Sequence, residues 1–162
     1  MEKQPTTSAL VRFQDCDPLG HLNNSKYLDY MINAREDHLR NFYDLDIYDY
    51  LDRNKIGWVV GKNEIVYRNP ALMNEEVSIR SQLMDFDDRR ISVEIAMFDK
   101  NHKHLKALLW TDFIPFDIMI NSVSKHTEEI TSLLQNVQID IEEKTIEERL
   151  EAIKIGLKDS DD

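Results

Sequence analysis

From Asn24 to Phe42 the side chains Tyr27, Met31, Ala34, His38 and Phe42 recur at spacings of three and four, with Leu28, Ile32 and Leu39 widening the stripe. Residues so spaced share a face only on an α-helix. Lys26, Asp29, Glu36 and Asp37 fall mostly outside the stripe, so the helix is amphipathic, yet its apolar face is broad enough to need wrapping. After Gly57 the period changes to two. Trp58 to Tyr67 is β-prone and stops at Asn69-Pro70, which cannot continue a central ladder. Val77 to Leu83 alternates, Asp87-Asp88 offers a turn, and Ile91 to Met97 alternates again, a hairpin signature. Lys100-Asn101 makes another turn and Leu105 to Phe116 is a last long strand. One long helix followed by consecutive antiparallel strands predicts an α+β domain whose sheet covers the helix.

The flanks are less regular. Met1 to Thr7 reads as a loose leader and Ser8 to Gln14 as a first strand, while Tyr43 to Asn54 reads as a loop with a short helical turn. Beyond Ser124, Ile130, Leu133, Leu134 and Val137 predict one short helix, and Ile146, Leu150, Ile153 and Leu157 a second with Glu-rich outer positions. Lys158 to Asp162 is an acidic end expected to fray. Residues 1–123 are thus expected to form the main unit and residues 124–162 an amphipathic helical extension of the same domain.

The 162 residues carry a formal net charge of -11, which argues against nucleic acid or an anionic membrane as a general surface partner. The single cysteine excludes an internal disulfide framework. The start Met1-Glu2-Lys3-Gln4-Pro5 lacks the apolar core of a secretory signal, and no apolar run is long enough to span a bilayer. The expected setting is soluble, reducing and cytoplasmic.

Chemistry concentrates ahead of the helix, in Val11-Arg12-Phe13-Gln14-Asp15-Cys16-Asp17-Pro18-Leu19-Gly20-His21-Leu22-Asn23-Asn24-Ser25-Lys26-Tyr27. Asn23, Asn24 and Ser25 mark a helix start, because their short side chains accept from unpaired backbone N–H groups. An acidic loop at that point has a use. The positive end of the helix favours an ionised carboxylate, and its free N–H groups can bind an oxygen that gains charge during a reaction. Asp15, Asp17 and Gly20 open like a calcium loop, but Leu19 and Lys26 occupy its fifth and twelfth positions, so neither this nor a metal set with His21 is expected. Cys16 lies between two carboxylates that suppress a thiolate. There is no Gly-x-Ser-x-Gly elbow and no phosphate-cradling glycine loop.

The pattern Arg12-Phe13-x-Asp15-x-Asp17-x-x-Gly20-His21-x-Asn23-Asn24-x-x-Tyr27 resembles the active-site signature of hotdog-fold acyl-CoA thioesterases of the 4-hydroxybenzoyl-CoA thioesterase type. Its His-x-Asn-Asn-x-x-Tyr part is also similar to acyl-acyl-carrier-protein thioesterases. A second stretch, Tyr67-Arg68-Asn69-Pro70-Ala71-Leu72-Met73-Asn74-Glu75-Glu76-Val77, resembles the same family's strand-Pro-Ala-turn-acidic element. The resemblance covers about Thr7 to Phe116 and implies a hotdog fold, an antiparallel sheet wrapped around a long helix, assembled as a homodimer or dimer of dimers. It implies hydrolysis of an acyl-CoA or acyl-carrier-protein thioester without metal or other cofactor.

Carried over by position, Asp17 is the catalytic carboxylate, as general base or nucleophile, and the backbone N–H of Asn24 polarises the carbonyl. His21 and Asn23 either orient these groups or only fix the turn. Tyr27 and Met31 are acyl-pocket candidates or simply core, and Glu64 is a candidate from a partner subunit. A hotdog hydratase is disfavoured because Asp17 and His21 are four apart, where that family has five. A non-catalytic acyl- or protein-binding module stays as the alternative.

Overall fold

The structure is a computed structural model that describes residues 1–159. Five strands form its main sheet: β1 (Thr6–Leu10), β2 (Ile56–Tyr67), β3 (Glu76–Phe86), β4 (Ile91–Asp99) and β5 (Leu105–Asp117). They lie in the order β1-β3-β4-β5-β2, every neighbour antiparallel, and a two-residue β6 (Ser122–Val123) pairs with the end of β5. The two expected hairpins are present, the first closed by the Asp87 N–H donating to Arg90 O at 3.0 Å. β1 is shorter than expected. Past Leu10 the chain leaves the ladder and winds through a 3-10 turn, Phe13–Asp15, at the entrance to the acidic loop.

The helix α1 (Asn24–Tyr43) packs against β1, β3 and β4 and buries Tyr27, Met31, Ala34 and His38, as the periodicity predicts. The stripe ends differently from its expectation. Phe42 is 39% exposed and Tyr43 is buried instead. Phe42 stays on the face of His38, their rings edge-on at 6.0 Å, but it lies in the last turn before the helix stops at Asp44, whose φ of 53° is left-handed. The next segment is more ordered than a loop: Asp46 caps α2 (Ile47–Asn54) by accepting the N–H groups of Tyr48 and Asp49.

Beyond the sheet, α3 (Glu128–Val137) brings Ile130, Leu134 and Val137 into the core that surrounds α1. The last helix, α4 (Ile146–Asp159), covers the other face. Its Ile146, Leu150 and Ile153 pack on Ala96, Phe98, Leu105 and Leu108. β4 is therefore buried on both sides, Val93, Ile95 and Met97 toward α1 and Ala96 and Phe98 toward α4. Glu94, which alternation alone puts on a solvent face, is 1% exposed. Arg149 of α4 meets it with a two-pronged ion pair at 2.8 and 3.1 Å, and Trp110 Nε1 and Gln82 Nε2 donate to the same carboxylate. Lys158 and Asp159 end α4 rather than fraying, and Ser160, Asp161 and Asp162 lie outside the described residues.

β2 lies at an edge of the sheet and bulges between Val60 and Lys62. Gly61 sits in the bulge because a Cβ there would come within 2.8 Å of Ile114 Cγ1.

Candidate functional site

The acidic loop is a miniature hairpin. Cys16 and Leu22 pair across it, the Asp17 N–H donates to His21 O at 2.8 Å, and the Gly20 N–H donates to Asp17 O at 3.0 Å. Gly20 takes a φ of 75°, which a side chain would strain, so the tip Pro18-Leu19-Gly20 can turn tightly. The Asp17 carboxylate holds the hairpin from inside: Oδ1 accepts the N–H groups of Leu19 at 2.9 Å and His21 at 3.1 Å. Asp17 and His21 are both half-buried.

The two motifs that carry the sequence resemblance meet here. The Leu22 N–H donates to Ala71 O and the Met73 N–H to Gly20 O, each at 2.8 Å. The Tyr27 hydroxyl accepts the Ala71 N–H at 3.1 Å, its ring lies edge-on to that of Tyr67 at 5.1 Å, and the Tyr67 hydroxyl donates to Asn24 O at 3.0 Å. Burial is the main cause that pushes the Tyr27 hydroxyl above its ordinary pKa, so it stays a neutral acceptor. Tyr27 and Met31 are both in the core, and the first is the pin between loop, helix and Asn69-Pro70-Ala71 segment.

Asn23 is the N-cap of α1: its Oδ1 accepts the Ser25 N–H at 3.0 Å and the Ser25 hydroxyl at 2.9 Å. Its own N–H donates to Asp15 O at 2.9 Å, which ties the helix start to the loop. Asn24 is the first helical residue, where a backbone N–H has no acceptor within the helix, and no described residue accepts it. That group and the hairpin of Asp17 share one corner of the molecule. Glu64 does not join them within this chain. It sits on the edge strand β2, opposite Trp110 of β5, with Lys62 Nζ at 3.3 Å.

Tyr30 belongs to the site but was not singled out by its sequence position. Its hydroxyl donates to Asp15 Oδ2 at 2.7 Å and accepts the Arg12 N–H at 3.0 Å, bracing the loop against α1. The available signal was its place one turn after Tyr27, on the polar border of the stripe. The Cys16 thiol donates to Arg12 O at 3.3 Å, and burial, then the carboxylates of Asp15 and Asp17, push its pKa up. Among the described residues no group of three or more His, Cys, Asp and Glu side chains is arranged to hold a metal ion.

The chain and its fold have known relatives. The family model of the thioesterase-like superfamily matches residues 11–134. The chain belongs to this superfamily. Within the thioesterase-like superfamily, it is 32% identical to the long-chain acyl-CoA thioesterase FadM of Escherichia coli (strain K12) over 83 residues, 51% of this chain and 61% of that protein. The match therefore spans less than two thirds of that relative. Solved structures agree on the fold. YbaW of Escherichia coli superposes with a TM-score of 0.71 at 24% identity, over 82% of this chain and 97% of that one. Slr0204 of Synechocystis, a 1,4-dihydroxy-2-naphthoyl-CoA thioesterase, superposes at 0.75 with 13% identity, over 83% and 97%. The fold is the hotdog fold expected from the sequence. No described helix is long and apolar enough to cross a membrane.

Proposed function

We propose that this chain hydrolyses an acyl-CoA thioester, with Asp17 as the carboxylate that activates water or attacks the carbonyl itself. The observation that carries the reading is the state of the Asp17 side chain. One oxygen is fixed by two backbone N–H groups, while Oδ2 has no partner among the described residues. A fixed carboxylate with a free oxygen is what general-base or nucleophilic attack on a thioester needs. The Asn24 N–H, at the positive end of α1, supports the second requirement, a donor for the tetrahedral oxyanion. His21 and Asn23 then act on the geometry of these two groups, through the hairpin and the cap. FadM supports an acyl-CoA as substrate; an acyl-carrier-protein thioester is the other carrier to test.

The assembly proposed with it is a homodimer. Its support is β2, a 12-residue strand with one open side, along which Val59 and Val60 are each 48% exposed. Long edges with apolar side chains invite pairing with another strand. In such a pair Glu64 would be presented to the second copy.

A second reading, a non-catalytic acyl-binding module, is favoured by the same two bonds to Asp17 Oδ1, since they already give the carboxylate a structural duty. Asp17→Asn separates the two readings. Asparagine keeps an acceptor for Leu19 and His21 but has no ionisable carboxylate. Free-thiol release should be measured on short, long and aromatic acyl-CoAs, then on acyl-carrier-protein thioesters. Turnover by the native chain that falls at least about a hundredfold in the variant supports the hydrolase; no turnover on either carrier leaves the binding module.

A further inference from the structure

The far end of α1 holds a second site whose ligand can be read from its lining. A cavity of about 370 Å³ opens between α1, α2, β2, β4, β5 and α3. Its walls are mostly apolar, among them Ile32, Leu39, Leu45, Phe113, Leu133 and Leu134. That volume is within the range of small-molecule sites. None of Asp17, His21, Asn23 and Asn24 borders it.

Among the polar groups of the lining, Arg35, the Tyr43 hydroxyl and Trp58 Nε1 stand out as buried hydrogen-bond donors. Arg35 is buried, yet among the described residues no carboxylate lies within ion-pair distance of it. Its Nη1 donates to the neutral Ser81 hydroxyl at 3.0 Å, and its guanidinium carbon lies 5.6 Å from the centre of the Tyr43 ring. The Tyr43 hydroxyl and Trp58 Nε1 are buried and neither finds an acceptor among the described residues, while the Arg35 guanidinium lies beside the Tyr43 hydroxyl and lowers its pKa against the effect of burial. Tyr43 and Trp58 both line the cavity. A guanidinium stays charged and has five N–H donors, and an uncompensated buried charge is costly. Unpaired buried donors are rare enough to demand a reason. The one acid in the lining, Glu36, is at 3.4 Å from Arg40 on the helix exterior.

We infer that this cavity is a binding site for a medium-chain fatty carboxylate, its chain on the apolar wall and its anionic head against Arg35, Tyr43 and Trp58. The head supplies acceptors for all three donors and the missing countercharge. An anionic head against Arg35 makes the ligand a free acid, since the tail of a thioester held at Asp17 is uncharged. The assignment stands whether or not Asp17 is catalytic.

The test is calorimetric titration of the full-length protein with sodium laurate below its micellar concentration, alongside 1-dodecanol, which has the same chain and no charge. Laurate should bind at least about tenfold more tightly, the scale of one charge-assisted hydrogen bond. Tyr43→Phe should weaken laurate severalfold, and Arg35→Gln by tenfold or more. Leu134→Trp, which fills the cavity, should abolish binding of both. If Arg35→Gln does not fold, Tyr43→Phe and Leu134→Trp decide. Failure of laurate to bind, equal affinity for the alcohol, or an affinity untouched by Tyr43→Phe and Leu134→Trp overturns the inference.

Discussion

The two ends of α1 solve the problem of polar groups in opposite ways. At the N-terminus neighbours answer all but two of the polar groups described, Asp17 Oδ1 by Leu19 and His21, Asn23 by Ser25, Asp15 by Tyr30 and Ala71 by Tyr27, and leave Asp17 Oδ2 and the Asn24 N–H open. At the C-terminal half Arg35 is left without an acid, and Tyr43 and Trp58 keep unanswered donors in the dark. Close backbone bonding fixes one oxygen of a carboxylate in a half-exposed loop, as the proposed hydrolysis requires. Unanswered donors in a buried cavity are what the proposed carboxylate ligand would satisfy.

Mutations can break this contrast. The largest effect is expected from Asp17→Asn, a loss of at least about a hundredfold in thiol release with an unchanged melting temperature, because the hairpin acceptor survives. A loss of fold instead would make Asp17 a structural residue and erase the difference in kind between the two ends.

The middle of the helix gives the next effect, through pH. His38 is wholly buried between Ser81 Oγ, 2.8 Å from Nδ1, and Thr7 Oγ1, 3.0 Å from Nε2. Burial, and then the nearby Arg35 charge, lower its pKa from 6.5 to about 4. The unfolded chain takes up this proton near pH 6.5 and the folded one only near pH 4, so between them the unfolded state binds more protons. The stability held above pH 6.5 is lost progressively on acidification to about pH 4, by on the order of 3 kcal/mol. Urea denaturation at pH 7, 5.5 and 4.5 should show that part of the slope disappear in His38→Gln.

Two tyrosines sharpen the comparison. Tyr27→Phe strips the Ala71 N–H of its acceptor and should destabilise the fold by about 1–2 kcal/mol in chemical denaturation. Tyr43→Phe removes a hydroxyl that finds no acceptor, so the stability of the ligand-free protein should change by less than about 1 kcal/mol. The same substitution then matters to the fold at one end of the helix and hardly at the other.

The sequence made the first end legible and hid the second, for a physical reason. Capping and turn signals act over a few residues, so Asn23, Gly20 and the hairpin of Asp17 could be read locally. Tyr27, Met31, Ala34 and His38 were readable because a helix converts spacing into a face. The cavity draws on six elements, and nothing in the spacing of Arg35, Tyr43 and Trp58 announces that they converge. Phe42 keeps its place beside His38 but is half-exposed, because it lies in the last turn of the helix. α2 looked like a loop because its acidic, tyrosine-rich composition obscured the cap at Asp46. The burial of Glu94 was not legible because its partner, Arg149, lies 55 positions further on.

That last pairing governs how the chain would behave if cut. The segment from Asp140 to Thr145 joins α4 to the rest of the fold and is largely exposed. Yet α4 is held by the two-pronged pair of Arg149 with the desolvated Glu94 carboxylate, and by Ile146, Leu150 and Ile153 seated on the sheet. A protease that nicks this connection severs a covalent bond without releasing its product: the two pieces behave as a noncovalent heterodimer, and they part only when the sheet that binds them unfolds.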